Sequence, residues 1–282
     1  MTSIKAAGTR RNLRTKLPLF LILLVTAITT TYPLFFVAAN AFKKEVEYYS
    51  NVYGLPHDLY VGNFALLQEN LNVLRAVGNS AFVVCIGVLA STLLAALASF
   101  PIAKLQFSGK RQIFLMIISF MLIPGQVLLI PIYLLFANLG LINNFLSVIL
   151  VYVVTTLPFG IFLLTSSFVA IPTEMIDSAK VDGASLLRIF RSIILPMGRP
   201  AVTTLAVLNF LTMWNELLLG MVLLPDESKR LLTPTLATLI GRLATNQPVL
   251  MAGLLISALP TVLMLIIFSR YLIKGITLGV GK

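Results

Sequence analysis

The residues of this chain that could do chemistry are few and unevenly placed. No charged side chain occurs between Arg111 and Glu174. Then Glu174, Asp177, Lys180, Asp182, Arg188, Arg191 and Arg199 follow within 26 positions. Inside the apolar stretches one acidic residue, Glu216, stands beside Trp214 and Asn215 and seven positions after Asn209. The only histidine, His57, lies in a polar segment, and the only cysteine, Cys85, in an apolar run. These residues supply no nucleophile–base pair, no metal-ligand spacing and no disulfide within the chain. Gly109-Lys110 and Gly281-Lys282 lack the upstream glycine and following Ser/Thr of a phosphate loop. No catalytic or metal-binding residue is expected, and the chemistry open to this chain is recognition and coupling.

The charged stretch has internal order. Thr173 is a candidate N-cap after Pro172, and Glu174 suits the positive end of a helix. A helix of about two turns would end near Lys180, and Asp182-Gly183 is a turn signal. Ser185 can cap a second helix, in which Leu186, Ile189, Phe190, Ile193 and Ile194 form one apolar stripe. Arg188 and Arg191 lie off that stripe, and Pro196 and Pro200 limit its continuation. The pattern predicts a helix-turn-helix along a membrane surface, with one face free for a soluble partner.

The elements that must position these residues are membrane spans. The chain is 58% hydrophobic and 11% charged, with a mean hydropathy of +0.97. A soluble protein carries about 25% charged residues. An all-α membrane protein is expected, with a tail over 1–16 and one transmembrane domain over 17–282. A bilayer takes about 20 helical residues. Spans are predicted at about 17–42, 79–103, 113–137, 146–170, 201–224 and 249–273, with the charged loop at 171–200 between the fourth and fifth. Leu17–Phe42 is too long for a signal-peptide core, which supports an uncleaved first helix. Pro124-Gly125 and Pro131 interrupt the third span, as tolerated where a helix lines a cavity or packs inside protein.

Six spans put both termini on one side. That side would hold Lys5, Arg10, Arg11, Arg14 and Lys16, then Lys104, Lys110 and Arg111, the four basic residues of the central loop, and Arg270, Lys274 and Lys282. The other would hold only Lys43, Lys44, Arg75, Lys229, Arg230 and Arg242. The positive-inside rule makes the first side cytoplasmic. The net charge of +11 is therefore a topology signal, and no basic–aromatic nucleic-acid face is present.

Gly183, followed after nine residues by Ile193-Ile194-Leu195-Pro196, resembles the EAA loop of importer-type ABC transporter permeases. Asp177-Ser178-Ala179 stands where that family carries Glu-Ala-Ala, so a strict triplet search would miss it. FPIAKLQFSGKR (100–111), IPGQVLLIPIYLLFANLGLINN (123–144), Trp214-Asn215-Glu216 and the terminal YLIKGITLGVGK resemble the maltose-type carbohydrate permeases in particular. The resemblance covers roughly residues 17–282. It implies a type I ABC importer permease fold, in which residues 174–190 form a coupling helix seated in a separate ATPase. Glu174, Asp177, Ser178, Ala179, Asp182, Gly183, Arg188, Leu195 and Pro196 would make that coupling loop.

The resemblance further implies the second, six-helix permease subunit of a heterodimeric importer of a di- or oligosaccharide, in the cell (inner) membrane. Its partners would be another permease, two copies of a cytoplasmic ATPase that binds ATP and Mg, an extracytoplasmic sugar-binding protein and the carbohydrate. No cofactor would be bound by this chain. Asn209, Trp214, Asn215 and Glu216 are the candidate substrate path. Asn209 and Glu216 fall near one helix face and could bond sugar hydroxyls, while Trp214 could stack on a sugar ring. Glu216 would lie about 22 Å along the fifth helix, near its outer end, where a structural carboxylate is the competing reading. An ion-coupled secondary transporter is the alternative. It would want ionisable relays at the midplane, which Glu216 alone does not supply. A membrane-bound lipid transferase would want a metal- or phosphate-holding cluster, and a non-transporting scaffold would not need the 123–144 and 171–196 patterns.

Overall fold

The computed structural model describes residues 3–239 and 246–280, with side chains over 17–239 and 246–270. Every regular element among them is helical. Two compact units are formed by 1–70 with 239–256 and by 71–238 with 257–282.

The first unit contains α1 (Ser3–Ala41), α2 (Glu45–Ser50) and most of α3 (Gly62–Leu71). Helix α1 continues back through the predicted tail and through Pro18 and Pro33, so the tail and first span share one helix. No side chain in its most apolar window is buried. A helix that is apolar all round is suited to lipid or to another membrane subunit. The segment after α1 closes around Lys43, which is fully buried. Its ammonium donates to the carbonyls of Asn51 (2.6 Å), Val52 (3.3 Å) and Gly54 (2.7 Å). Asn63 donates to the Ala41 and Lys43 carbonyls, both at 2.8 Å. Burial pushes the Lys43 ammonium below the usual lysine range, partly opposed by the charge of Glu47. His57 lies over Glu47, with its backbone N–H donating at 2.7 Å and its ring Nδ1 at 2.8 Å.

The second unit is built on α4 (Val73–Lys104), α7 (Phe145–Val169) and α10 (Leu195–Trp214), which pack on one another. Between α4 and α7 run α5 (Lys110–Ser119), two 3₁₀ turns and α6 (Leu129–Asn138). The short helices α8 (Thr173–Val181), α9 (Leu186–Ile189), α11 (Leu218–Leu223) and α12 (Leu232–Ala237) follow in chain order. Helix α13 (Gln247–Val280) belongs to the first unit up to Ile256 and to the second from Ser257, and it runs on past the predicted end of the sixth span. Small residues allow the close approach of the three long helices. A Cβ on Gly160 would stand 2.9 Å from the Ala95 Cβ, and one on Gly198 would stand 2.4 Å from the Phe168 ring. Ser99 donates to the Ile161 carbonyl at 3.2 Å across the α4–α7 contact.

Several spans differ from the sequence expectation. The second starts at Val73, where Asn72 adopts a left-handed conformation (φ 48°) and separates α3 from α4. The third is not one rod. It bends by 87° between Leu122 and Gly125, where Pro124 cannot continue a helical ladder. The fifth is continuous back to Leu186 and ends at Trp214. A π turn over Phe190–Ile194 joins α9 to α10, and Pro196 lies in the first positions of α10. In a regular helix the Pro196 ring would meet the Ser192 carbonyl. The widened turn makes room for it, so the prolines redirect this helix instead of ending it. The fourth span, Phe145–Val169, agrees with prediction within a residue. Of the basic residues used for orientation, Arg242 and Lys282 lie outside the described residues, as do the side chains of Lys5, Arg10, Arg11, Arg14, Lys16 and Lys274.

Gly198→Ala is expected to cost about 1–3 kcal/mol by overpacking against the buried Phe168 ring. Gly78→Ala, on an open part of α4, should be neutral or stabilising by up to about 1 kcal/mol. Thermal unfolding of both variants in one detergent checks the contrast.

Candidate functional site

The predicted turn of the charged loop is formed as a helix stop. After α8, the Gly183 N–H bonds to the Lys180 carbonyl (3.0 Å) and the Ala184 N–H to the Ala179 carbonyl (2.9 Å). With Gly183 at φ +75°, this is the Schellman arrangement, which favours glycine at that position. Glu174 in the first turn and Lys180 in the last complement the helix dipole. The cap differs by one residue from the sequence reading: Pro172 takes the N-cap position, without a side-chain hydrogen bond. Ser185 caps α9 as expected, its hydroxyl accepting the Arg188 N–H at 3.3 Å.

The loop has two faces. Ile176 is fully buried and joins Ile189, Phe190 and Ile194 in the core with Phe100, Leu164 and Phe168. The Phe100 and Phe190 rings lie 5.7 Å apart. Ala179 and Ala184 pack against the same core, and a larger side chain at either would lift α8 away. Leu195 packs there too. The opposite face carries Glu174, Asp177, Ser178, Asp182, Arg188 and Pro196, all exposed. Among them, Val181 is 88% and Leu187 is 59% exposed. The Lys180–Asp177 pair at 3.2 Å is solvent-facing and adds little stability. Leu186, placed on the apolar stripe by its spacing, is also exposed, at the first position of α9 where no preceding turn covers it.

Lys104 was not singled out for a site in the sequence, yet it holds this loop. Its ammonium donates to the carbonyl of Val169, the last residue of α7, and to that of Ile171 just beyond it. Its place at the end of an apolar run read only as a topology charge, and no spacing signal pairs it with residues 65 positions away.

The polar residues of the fifth span do not share one surface. Asn209 is buried and donates to Ser91 (2.9 Å) and Thr92 (3.5 Å) on α4. Trp214 is buried, stacks on Phe210 at 5.4 Å, and donates its indole N–H to the Ser257 carbonyl at 3.0 Å. Asn215 is exposed, with its amide turned back to the Leu211 carbonyl at 2.7 Å. Glu216 accepts the N–H groups of Leu219 and Gly220, both at 2.9 Å, and the Tyr152 hydroxyl at 3.1 Å. Its carboxylate caps the start of α11, where α10 has broken. Tyr152 was another residue without a sequence signal.

Residues 71–277 match the family described as binding-protein-dependent transport system inner membrane component. This chain belongs to that family. The chain is also similar over most of its length to individual proteins. A putative ABC transporter permease of a Caldicellulosiruptor strain is 32% identical, covering 93% of this chain and 96% of the relative. The NgcG permease protein of a diacetylchitobiose uptake system in Streptomyces coelicolor is 28% identical over 92% of this chain and 86% of its own. The fold is that of a type I ABC importer permease. A chain from the crystal structure of a bacterial ABC transporter that imports the acidic polysaccharide alginate superposes with a TM-score of 0.78 at 23% identity, covering 93% of this chain and 98% of that one.

Ile176→Ala is expected to cost about 2–5 kcal/mol and to expose the Lys180 and Arg188 peptide bonds to trypsin. Val181→Asp, on the outer face, should change neither unfolding temperature nor cleavage. Glu216→Gln keeps the shape but loses charge-assisted acceptance from two backbone N–H groups, costing about 1–2 kcal/mol. Limited proteolysis and thermal unfolding of the three variants test the assignments.

Proposed function

We propose that this permease is one half of the translocation path of an ATP-driven carbohydrate importer, with a di- or oligosaccharide as cargo. The observation that carries the proposal is the two-faced hairpin of α8 and α9: one face buried in the bundle through Ile176, the other exposed and mixed in charge. A rigid hook of this kind is what a soluble motor needs in order to pull on membrane helices. The carbohydrate class is supported by the diacetylchitobiose and alginate systems to which the chain is similar.

In this reading the ATP and its Mg belong to a partner ATPase present in two copies. Closure of the two ATPases on ATP carries the α8 hairpin of this chain, and its counterpart on a second permease, toward the outward-facing state. An extracytoplasmic sugar-binding protein delivers cargo, and hydrolysis resets the inward-facing state. Val46, Tyr53 and Leu59, each more than 70% exposed in the 43–61 segment, suit the binding-protein side. Both termini and the α8 hairpin are cytoplasmic. Asn215 is the polar residue of the fifth span best placed to meet cargo, since Asn209 and Trp214 are engaged between helices.

Uptake of labelled oligosaccharides into cells with clamped ATP should survive a protonophore and stop on ATP depletion. Val181→Asp should lower that uptake by roughly tenfold or more, as expected for an interface anchor, with the amount of permease in the membrane unchanged. Uptake that collapses with the proton gradient while ATP is held constant would favour the ion-coupled alternative.

A further inference from the structure

A cavity of about 540 Å³ opens at the turn between α4 and α5, at the boundary where the apolar runs of α4 and α7 end. One wall is the start of α5. Gly109 precedes that helix in a left-handed conformation (φ 79°), no side chain caps it, and no acid lies in its first turn. Lys110 and Arg111 occupy that turn instead. Helix N-termini carry partial positive charge and outward N–H groups, so two cations there are placed against the dipole. Such a concentration of donors and positive charge calls for an anion. Among the described residues Arg111 has no ion pair or hydrogen bond, while Lys110 donates to the Leu105 carbonyl at 3.0 Å. The second observation lies on the facing helix. Thr165, only 6% exposed, lines the cavity, and its hydroxyl is buried without a hydrogen-bond partner. The remaining wall is apolar: Phe107, Phe114 and Val169, of which Phe107 is 40% and Val169 is 58% exposed.

We propose that this cavity binds a phosphate group carried on an apolar tail, the headgroup of an anionic phospholipid. The phosphate would meet the α5 N-terminus, Arg111 and Lys110, with Thr165 donating from the floor. The acyl chain would follow Phe107, Phe114 and Val169 toward the bilayer. Because Val169 ends the helix whose last carbonyl Lys104 holds, a lipid seated here would brace the entry to the α8 hairpin.

The test uses the full chain, with its transport partners where they copurify, in nanodiscs of phosphatidylcholine alone or with phosphatidylglycerol. Thermal unfolding and lipids retained through delipidation are the readouts. Phosphatidylglycerol should be retained and should raise the unfolding temperature. Arg111→Gln should weaken its apparent affinity about fivefold, the worth of one basic residue near an anionic surface. Arg111→Lys should keep most of it, which separates lost charge from a misfolded turn. Inorganic phosphate alone should give no shift. A shift with inorganic phosphate equal to that with phosphatidylglycerol would reject the lipid and assign the cavity to a free phosphate. Equal retention of both lipids, or an Arg111→Gln variant that still selects phosphatidylglycerol, would overturn the proposal.

Discussion

The burial of one side chain, Ile176, fixes the α8 hairpin to the rest of this structure. Helix α8 has nine residues and makes two turns, too short to hold its own shape in water. What fixes it is an apolar residue on its inner face, inserted among Phe100, Phe168, Phe190 and Ile194. The Schellman stop at Gly183 then returns the chain so that Ala184 packs on the same core as Ala179. The exposed charges contribute little to stability and are free to serve recognition.

The core beneath α8 is continuous with the helix bundle. The core that receives Ile176 is also the contact among α4, α7 and α10, which is tight because Gly160 and Gly198 present no side chain. Packed interiors of this kind move as bodies and do not deform locally. At the far end of α10 the helix breaks after Trp214, and the Glu216 carboxylate, with the Tyr152 hydroxyl, satisfies the start of α11. Asn209 ties α10 to α4 midway. The polar residues of the fifth span are thus largely spent on joining helices, which is how a membrane interior satisfies its hydrogen bonds.

Those residues also show where sequence reasoning stops. The turn at Gly183, the cap at Ser185 and the fourth span were legible because each rests on a local signal: a left-handed position, an N-cap and a charge-free run. The 171–200 loop resembled that of importer-type permeases, and the chain belongs to a family of that kind. The role of Glu216 was not, because a carboxylate bonding N–H groups three and four residues ahead has the same one-letter context as one facing a cavity. Trp214 looked like a stacking platform until its indole N–H was placed on the Ser257 carbonyl, 43 positions away. The 87° bend at Pro124 was visible only as an interruption, since proline states that a ladder is broken and not by how much. Lys104, which joins the end of α7 through contacts 65 and 67 positions distant, left no trace at all.

The most direct test of the coupling account is co-purification from mild detergent, with the accompanying proteins identified by mass spectrometry. Wild type is compared with Gly183→Arg, which places a non-glycine residue at φ +75° and a long cation at the tip of the exposed face. The account predicts that an ATPase carrying a phosphate-loop sequence, together with a second permease, accompanies the wild type. The ATPase should be lost from the variant while the second permease stays. A wild-type protein that purifies without any ATPase and still moves its solute on an ion gradient would contradict it.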